Sequence, residues 1–292
     1  MLNKRSKAEW FGDSINVMIL GFLSLIMLYP MLYELFMSFS VASQVAKHRG
    51  VLLWPLGFTL TPYRLVFAEK TIISGYRNTF FVLSIGLVFN ITFTSLGAYF
   101  LSRKNVMLFK PVMIMILITM YFSGGLVPTW LNVNNLGLYN TLWALIIPGA
   151  INTFNLILLR SYFLSIPDSL LESVFIDGGG HFTALFKVVI PVSLPAMMVM
   201  ILYYGVGHWN SWFDALIYLR TRDLWPLQMV LRDILIQGTD LDIRGEELIN
   251  YEQLQETTKA AIVIITTVPI LMIYPFLQKY FIAGLMVGSL KG

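Results

Sequence analysis

A chain of 292 residues that is 57% hydrophobic and only 12% charged, with a mean hydropathy of +0.72, carries about half the charge of an ordinary soluble domain and belongs in lipid. Zero cysteines exclude disulfides, thiolate metal sites and thiol nucleophiles. A net charge of +4 suits basic flanks beside anionic headgroups, and nucleic acid is not an expected partner.

The predicted elements are all helices. The first apolar run, 15–37, follows the basic Lys4-Arg5-Ser6-Lys7. It exceeds the core of a secretory signal, about 7–15 residues, and is read as a retained first span. A second run, 79–102, lies between Arg77 and Arg103. No charge occurs from Pro111 to Leu159, and Ser123-Gly124-Gly125, Pro128, Asn132, Asn134, Asn135 and Gly137 divide that stretch into spans near 110–128 and 139–161. A fifth span is expected over 187–213 and a sixth over 259–283, bent by Pro269 and Pro275. At roughly 20 apolar residues per crossing, the chain reads as an all-α polytopic membrane protein with six transmembrane helices.

Loops 38–78 and 218–258 fall on one side. The N-terminus 1–14, the 103–110 turn, loop 162–186 and the tail 285–292 fall on the other, and 79–284 forms a core of five helices. Lys and Arg divide evenly between the sides, so their bias does not set orientation. The compact N-terminal basic cluster favours a cytoplasmic N-terminus, and an even number of spans returns the C-terminus there.

Loop 162–186 contains a short amphipathic helix. Pro167-Asp168-Ser169 opens it, Ser169 and Glu172 have capping-box spacing, and Leu171, Val174 and Phe175 form one apolar stripe. Gly178-Gly179-Gly180 ends it. An acidic opposite face disfavours anionic lipid, so a protein groove is the expected host.

The spans carry almost no charge: Glu34 and Asp214 lie near span ends, beside a lone His208. This argues against a proton- or sodium-coupled carrier, which needs a titratable or cation-binding site. H-E-x-x-H, G-x-S-x-G and the P-loop are all missing, which argues against an enzyme and means that any driving ATP is bound by another chain. No metal site is expected. Uncharged hydrogen-bonding and aromatic residues suit a sugar path: Asn90 and Thr94 in span two, Asn152 and Asn155 in span four, and Tyr203, Tyr204, Trp209, Asn210 and Trp212 in span five. For each the structural alternative stays open, as interhelical glue or as part of the interfacial aromatic belt.

The order Glu172, Ser173, Val174, Gly178 and, after nine residues, Val188-Val189-Ile190-Pro191 resembles the Glu-Ala-Ala loop of bacterial binding-protein-dependent carbohydrate ABC importer permeases. Ser173 and Val174 replace the two usual alanines, while Asp177 before the glycine is similar to the carbohydrate version. The tail Gly284-Leu-Met-Val-Gly288-Ser-Leu-Lys291-Gly292 resembles that of the second maltose-importer permease subunit. Ala98-Tyr99-Phe-Leu-Ser-Arg103 fits the same family, and Asn210-Ser-Trp212-Phe213-Asp214-Ala215 is similar to permeases for complex oligosaccharides.

The resemblance implies a type I ABC importer permease fold in the bacterial cytoplasmic membrane, working by alternating access. It implies ATPase coupling through Ser169, Glu172, Ser173, Val174, Phe175, Asp177, Gly178 and Pro191, and a tail contact through Gly288, Lys291 and Gly292. The implied partners are a second permease forming a heterodimer, an ABC ATPase dimer, an extracytoplasmic solute-binding protein, membrane lipid and an oligosaccharide. No cofactor is expected on this chain, since ATP and Mg belong to the ATPase. A permease for a non-sugar solute is the first alternative, and an ion-coupled secondary transporter the second.

Overall fold

The computed structural model describes residues 7–103, 108–237 and 251–289. In chain order the helices are α1 (Lys7–Ser38), α2 (Ala42–Val45), α3 (Thr61–Ala68), α4 (Lys70–Ser102), α5 (Phe109–Tyr121), α6 (Leu126–Asn135), α7 (Thr153–Leu164) and α8 (Asp168–Ile176). There follow α9 (His181–Ala184), a π-turn (Leu185–Val189), α10 (Ile190–Val192), α11 (Leu194–Trp209), α12 (Phe213–Tyr218), α13 (Leu227–Gln237) and α14 (Tyr251–Ser289). Two compact units result: Met1–Glu69 with Asp233–Thr267, and Lys70–Arg232 with Val268–Gly292.

In the first unit, α1 runs 32 residues without ending at Pro30, about 48 Å at 1.5 Å per residue. Its flank from Trp10 to Leu32 is apolar and exposed, as a lipid-facing helix requires. An isolated antiparallel bridge pairs Ser40 with Phe58, and Met37, Leu52 and Ala260 form a small core.

The second unit is built on α4. Its buried positions Ile72, Gly75, Thr79, Val82, Gly86, Asn90, Thr94, Ala98 and Leu101 recur every three or four residues and form one continuous stripe. Against this stripe pack α7 and α11. Gly75, Gly86, Ser95 and Ala98 are small, which lets neighbouring backbones approach closely without a hydrophobic drive between helices. Near the α8 end the core holds Leu101, Leu159, Phe163, Leu171, Leu185 and Met200. A second cluster holds Val82, Val133, Ile146, Ala215 and Met229.

Among the described residues, Trp10–Ser38, Lys70–Ser102 and Leu254–Ile273 are long and apolar enough to cross a membrane. The number rises to as many as five if each bent pair forms one span. Several sequence expectations are corrected here. The second helix starts at Lys70, not Thr79, because Asn78 and Thr79 are satisfied within the unit: Asn78 Nδ2 donates to the Asp223 and Trp225 carbonyls, and Thr79 Oγ1 accepts the Leu227 N–H.

The stretch expected as span 110–128 breaks after Tyr121, and α5 and α6 meet at 116° where Gly125 adopts φ +87°. The expected span 139–161 is helical only from Thr153. Asn140 takes φ +58°, a short 3-10 turn covers Leu142–Leu145, and Pro148-Gly149 keeps the chain irregular to Asn152. The 187–213 stretch bends by 85° between Val192 and Leu194, where Pro191 and Pro195 each lack an N–H. Helix α14 continues through Pro269 and Pro275.

Candidate functional site

The surface helix α8 forms as expected in its apolar anchor and its stop, but its start differs. Pro167, not Ser169, is the N-cap residue, and no side chain caps the helix. The capping box is therefore absent: Ser169 lies inside the first turn, where its hydroxyl is past the position that could cap. Asp168 in that turn suits the positive end of the helix dipole.

The C-terminal end closes tightly. Gly178 takes φ +78°, its N–H donates to the Phe175 carbonyl at 3.1 Å, and the Gly179 N–H donates to the Val174 carbonyl at 2.8 Å. This pair of bonds is the Schellman arrangement, and the left-handed residue within it favours glycine.

Leu171 is buried and joins the core formed with Leu101, Leu159, Phe163 and Leu185, and Val174 packs against that core. Ser169, Glu172, Ser173, Phe175, Asp177, Gly178 and Pro191 are exposed. The outward face is not purely acidic, as the sequence suggested, because Leu170 and Phe175 are exposed there and Ile176 is 85% exposed. Of the three apolar positions read as one stripe, Leu171 is buried and Val174 half-buried, while Phe175 stays exposed.

Sequence reasoning missed a second tie between α8 and α4. The Phe175 ring meets His181 edge-on at 5.0 Å, His181 Nδ1 lies 3.0 Å from the Tyr99 hydroxyl, and the Arg103 guanidinium stands 5.0 Å over the Tyr99 ring. Arg160 Nε donates to the Leu101 carbonyl at 2.8 Å and its guanidinium covers the Phe109 ring, locking α7 to the same end of α4. No local spacing signals the Tyr99–His181 and Leu101–Arg160 contacts, which join residues 82 and 59 positions apart.

Deeper in the unit, the path candidates separate into two groups. Asn90, Thr94, Asn155, Tyr204 and Trp209 are buried inside the chain. Asn90 Nδ2 donates to the Gly149 and Ala150 carbonyls at 2.8 and 3.1 Å, and Asn90 Oδ1 lies 2.7 Å from His208 Nε2. The Tyr204 hydroxyl pairs with Thr94 at 2.7 Å and accepts the Asn152 N–H at 2.9 Å. Asn152 Oδ1 in turn caps α7 by accepting the Asn155 N–H. These side chains satisfy the broken backbone before α7. The exposed group is Asn152, Tyr203, Asn210 and Trp212. Asn210 donates to the Val206 carbonyl, and Arg232 lies 5.1 Å over the Trp212 ring.

No family model matches the chain. It is 38% identical over 95% of its length, and 98% of the relative's, to the polygalacturonan/rhamnogalacturonan transport system permease protein YtcP of Bacillus subtilis (strain 168). This chain belongs to the carbohydrate ABC transporter permeases.

A crystal structure of a bacterial ABC transporter that imports the acidic polysaccharide alginate matches with TM-score 0.88 and 32% identity, covering 95% of this chain and 99% of that one. A bacterial alginate ABC transporter in complex with alginate pentasaccharide-bound periplasmic protein matches at TM-score 0.54 and 14% identity, over 91% of this permease and 93% of that chain, a likeness of fold alone. The permease is thus an apolar helical membrane protein and a transport subunit. Of its tail residues, Gly288 lies in α14, while Lys291 and Gly292 lie outside the described residues.

Proposed function

We infer that this permease carries an oligosaccharide across the cytoplasmic membrane by alternating access, driven by a separate ABC ATPase that binds the ATP and Mg. The observation that carries the reading is α8, with Leu171 sunk in the core and Glu172, Phe175, Ile176 and Asp177 facing outward. A helix whose Leu171 is sunk in the core shared by α4, α7 and α11 transmits a push as a rigid body. Coupling requires a contact that differs between two states, and a helix held on one side can supply it.

In this reading the exposed face of α8 seats in the ATPase, with Gly288, Lys291 and Gly292 as a further contact. A companion permease completes the path, a solute-binding protein delivers the sugar from outside, and both termini are cytoplasmic. In this reading nucleotide binding is left to the ATPase. The names of its relatives support a sugar cargo, and the pectic and alginate relatives favour one containing uronic acid.

The test is Glu172→Lys in the assembled transporter. The variant is expected to reach the membrane with the companion permease, yet to lose ATPase co-purification and uptake. Retention of both removes the coupling role. Hydrolysis in the unmutated complex is expected to rise with binding protein plus oligogalacturonide, and a response to peptide or polyamine instead would overturn the cargo.

A further inference from the structure

The break before α7 leaves polar backbone exposed at a depth where lipid offers no partner. Helix α7 is twelve residues long, so Asn152 lies about 18 Å from the α8 end at 1.5 Å per residue, near the middle of a hydrocarbon core of about 30 Å. Asn90, twelve residues before Ser102 at the end of α4, reaches the same depth.

Ile147, Pro148, Gly149, Ile151 and Asn152 are exposed, and a side chain at Gly149 would meet nothing within 4 Å. The Gly149 and Ala150 carbonyls are occupied by Asn90, and the Asn152 N–H by Tyr204. Among the described residues no acceptor meets the N–H of Gly149 or Ile151, nor Asn152 Nδ2. Beside them the Phe154 and Tyr203 rings lie 6.4 Å apart, both exposed. Irregular backbone at this depth is tolerated only inside protein or on a water-filled cavity.

The geometry points to a carbohydrate-contact site on the unwound segment 147–152. Gly149 N–H, Ile151 N–H and Asn152 Nδ2 donate to sugar oxygens, and the Phe154–Tyr203 pair supplies an apolar face, the combination usual in small-molecule sites. A set of donors suits hydroxyl and carboxylate oxygens. Bonds from these uncharged donors to sugar hydroxyls are about half as strong as charge-assisted ones, so the sugar is held and released. The buried Asn90 and Tyr204 and the half-buried His208 act as positioning residues that keep the segment open. This site rests on the oligosaccharide reading above.

The chain contains no cysteine, so Gly149→Cys and Ile151→Cys each place a single thiol on it. Each variant is tested in the full transporter, in proteoliposomes, with a charged methanethiosulfonate and with oligogalacturonide as the probe sugar. Both thiols are expected to react from water, and labelling is expected to slow about tenfold with probe at about ten times its half-saturating concentration. If only a lipid-soluble maleimide reacts, or no reagent does, the segment faces lipid or the companion permease and the site is overturned. Labelling that a hydrolysis-stimulating sugar fails to slow also overturns it, while leaving the function intact. If the unmutated complex ignores oligogalacturonide and maltodextrin alike, the oligosaccharide reading itself fails and takes the site with it.

Discussion

The Gly179 N–H donates to the Val174 carbonyl across 2.8 Å, and this bond turns the chain away from the last turn of α8. The turn also requires φ +78° at Gly178, where a Cβ on most residues costs roughly 1–2 kcal/mol. Gly178→Ala is therefore expected to loosen the end of α8 and lower uptake, whereas Gly178→Asn, which tolerates the left-handed region, retains most of it. Gly179→Ala is expected to be worse than either. A Cβ there would lie 2.6 Å from Val174 Cγ1 and 2.9 Å from the Val174 carbonyl oxygen, and the backbone atom cannot move aside. Uptake and ATPase co-purification, measured side by side for the three variants, check this order.

Asn90→Asp keeps the shape of the side chain and removes its two N–H donors. The Gly149 and Ala150 carbonyls then lose their partners and face an oxygen instead. Side-chain hydrogen bonds in membrane proteins average about 0.6 kcal/mol and reach about 1.7, so two lost bonds plus repulsion predict a destabilisation of roughly 2 kcal/mol or more. Thermal unfolding of the detergent-solubilised complex should show a clear drop in midpoint. An unchanged midpoint would mean that the unwound segment does not depend on Asn90.

The parts of this permease legible in its sequence were those whose causes are local. A charge-free run about as long as a bilayer crossing, or longer, reveals α1, α4 and α14, and three consecutive glycines reveal where α8 stops. The interruptions were less visible. Residues 139–161 read as one uncharged span, and the irregular stretch to Asn152 persists because Asn90 and Tyr204, 59 and 52 residues away, satisfy its backbone. The same long-range bonds explain why Asn90, Thr94 and Tyr204 read equally well as path residues and as interhelical ties. Polarity inside a span says that a partner exists, and only the fold says which. The outward face of α8 was half legible: its acids stand out, while exposure of Phe175 and Ile176 depends on the direction in which Leu171 anchors the helix.

Gly86 and His208 are expected to be energetically coupled. A Cβ at Gly86 would sit 2.5 Å from His208 Nε2, the atom that pairs with Asn90 Oδ1. Gly86→Ala must push the ring aside and break that bond. In a His208→Ala background the ring is gone and the added methyl has room. The cost of Gly86→Ala is expected to fall from roughly 1–3 kcal/mol, the usual penalty of overpacking, to near zero. Thermal unfolding of the two single variants and the double variant gives the coupling energy directly, and additive costs would show that the two positions do not press on each other.

Ser193 sits at the 85° bend between α10 and α11, fully buried, and its hydroxyl has no hydrogen-bond partner among the described residues. A buried hydroxyl left unpaired carries a desolvation penalty of about 1–3 kcal/mol. Ser193→Ala removes the unpaired group and leaves only a small void, so this conformation is expected to gain stability on the order of 1 kcal/mol. If the bend changes during transport and the hydroxyl finds an acceptor in the other state, the same substitution biases the equilibrium towards the state described here. The two effects separate experimentally. A higher unfolding midpoint with normal turnover marks simple relief of a buried polar group, whereas a higher midpoint with slower sugar-stimulated hydrolysis marks Ser193 as a hinge residue whose partner appears only after the bend moves. A lower midpoint would contradict both, and would mean that the hydroxyl is already satisfied.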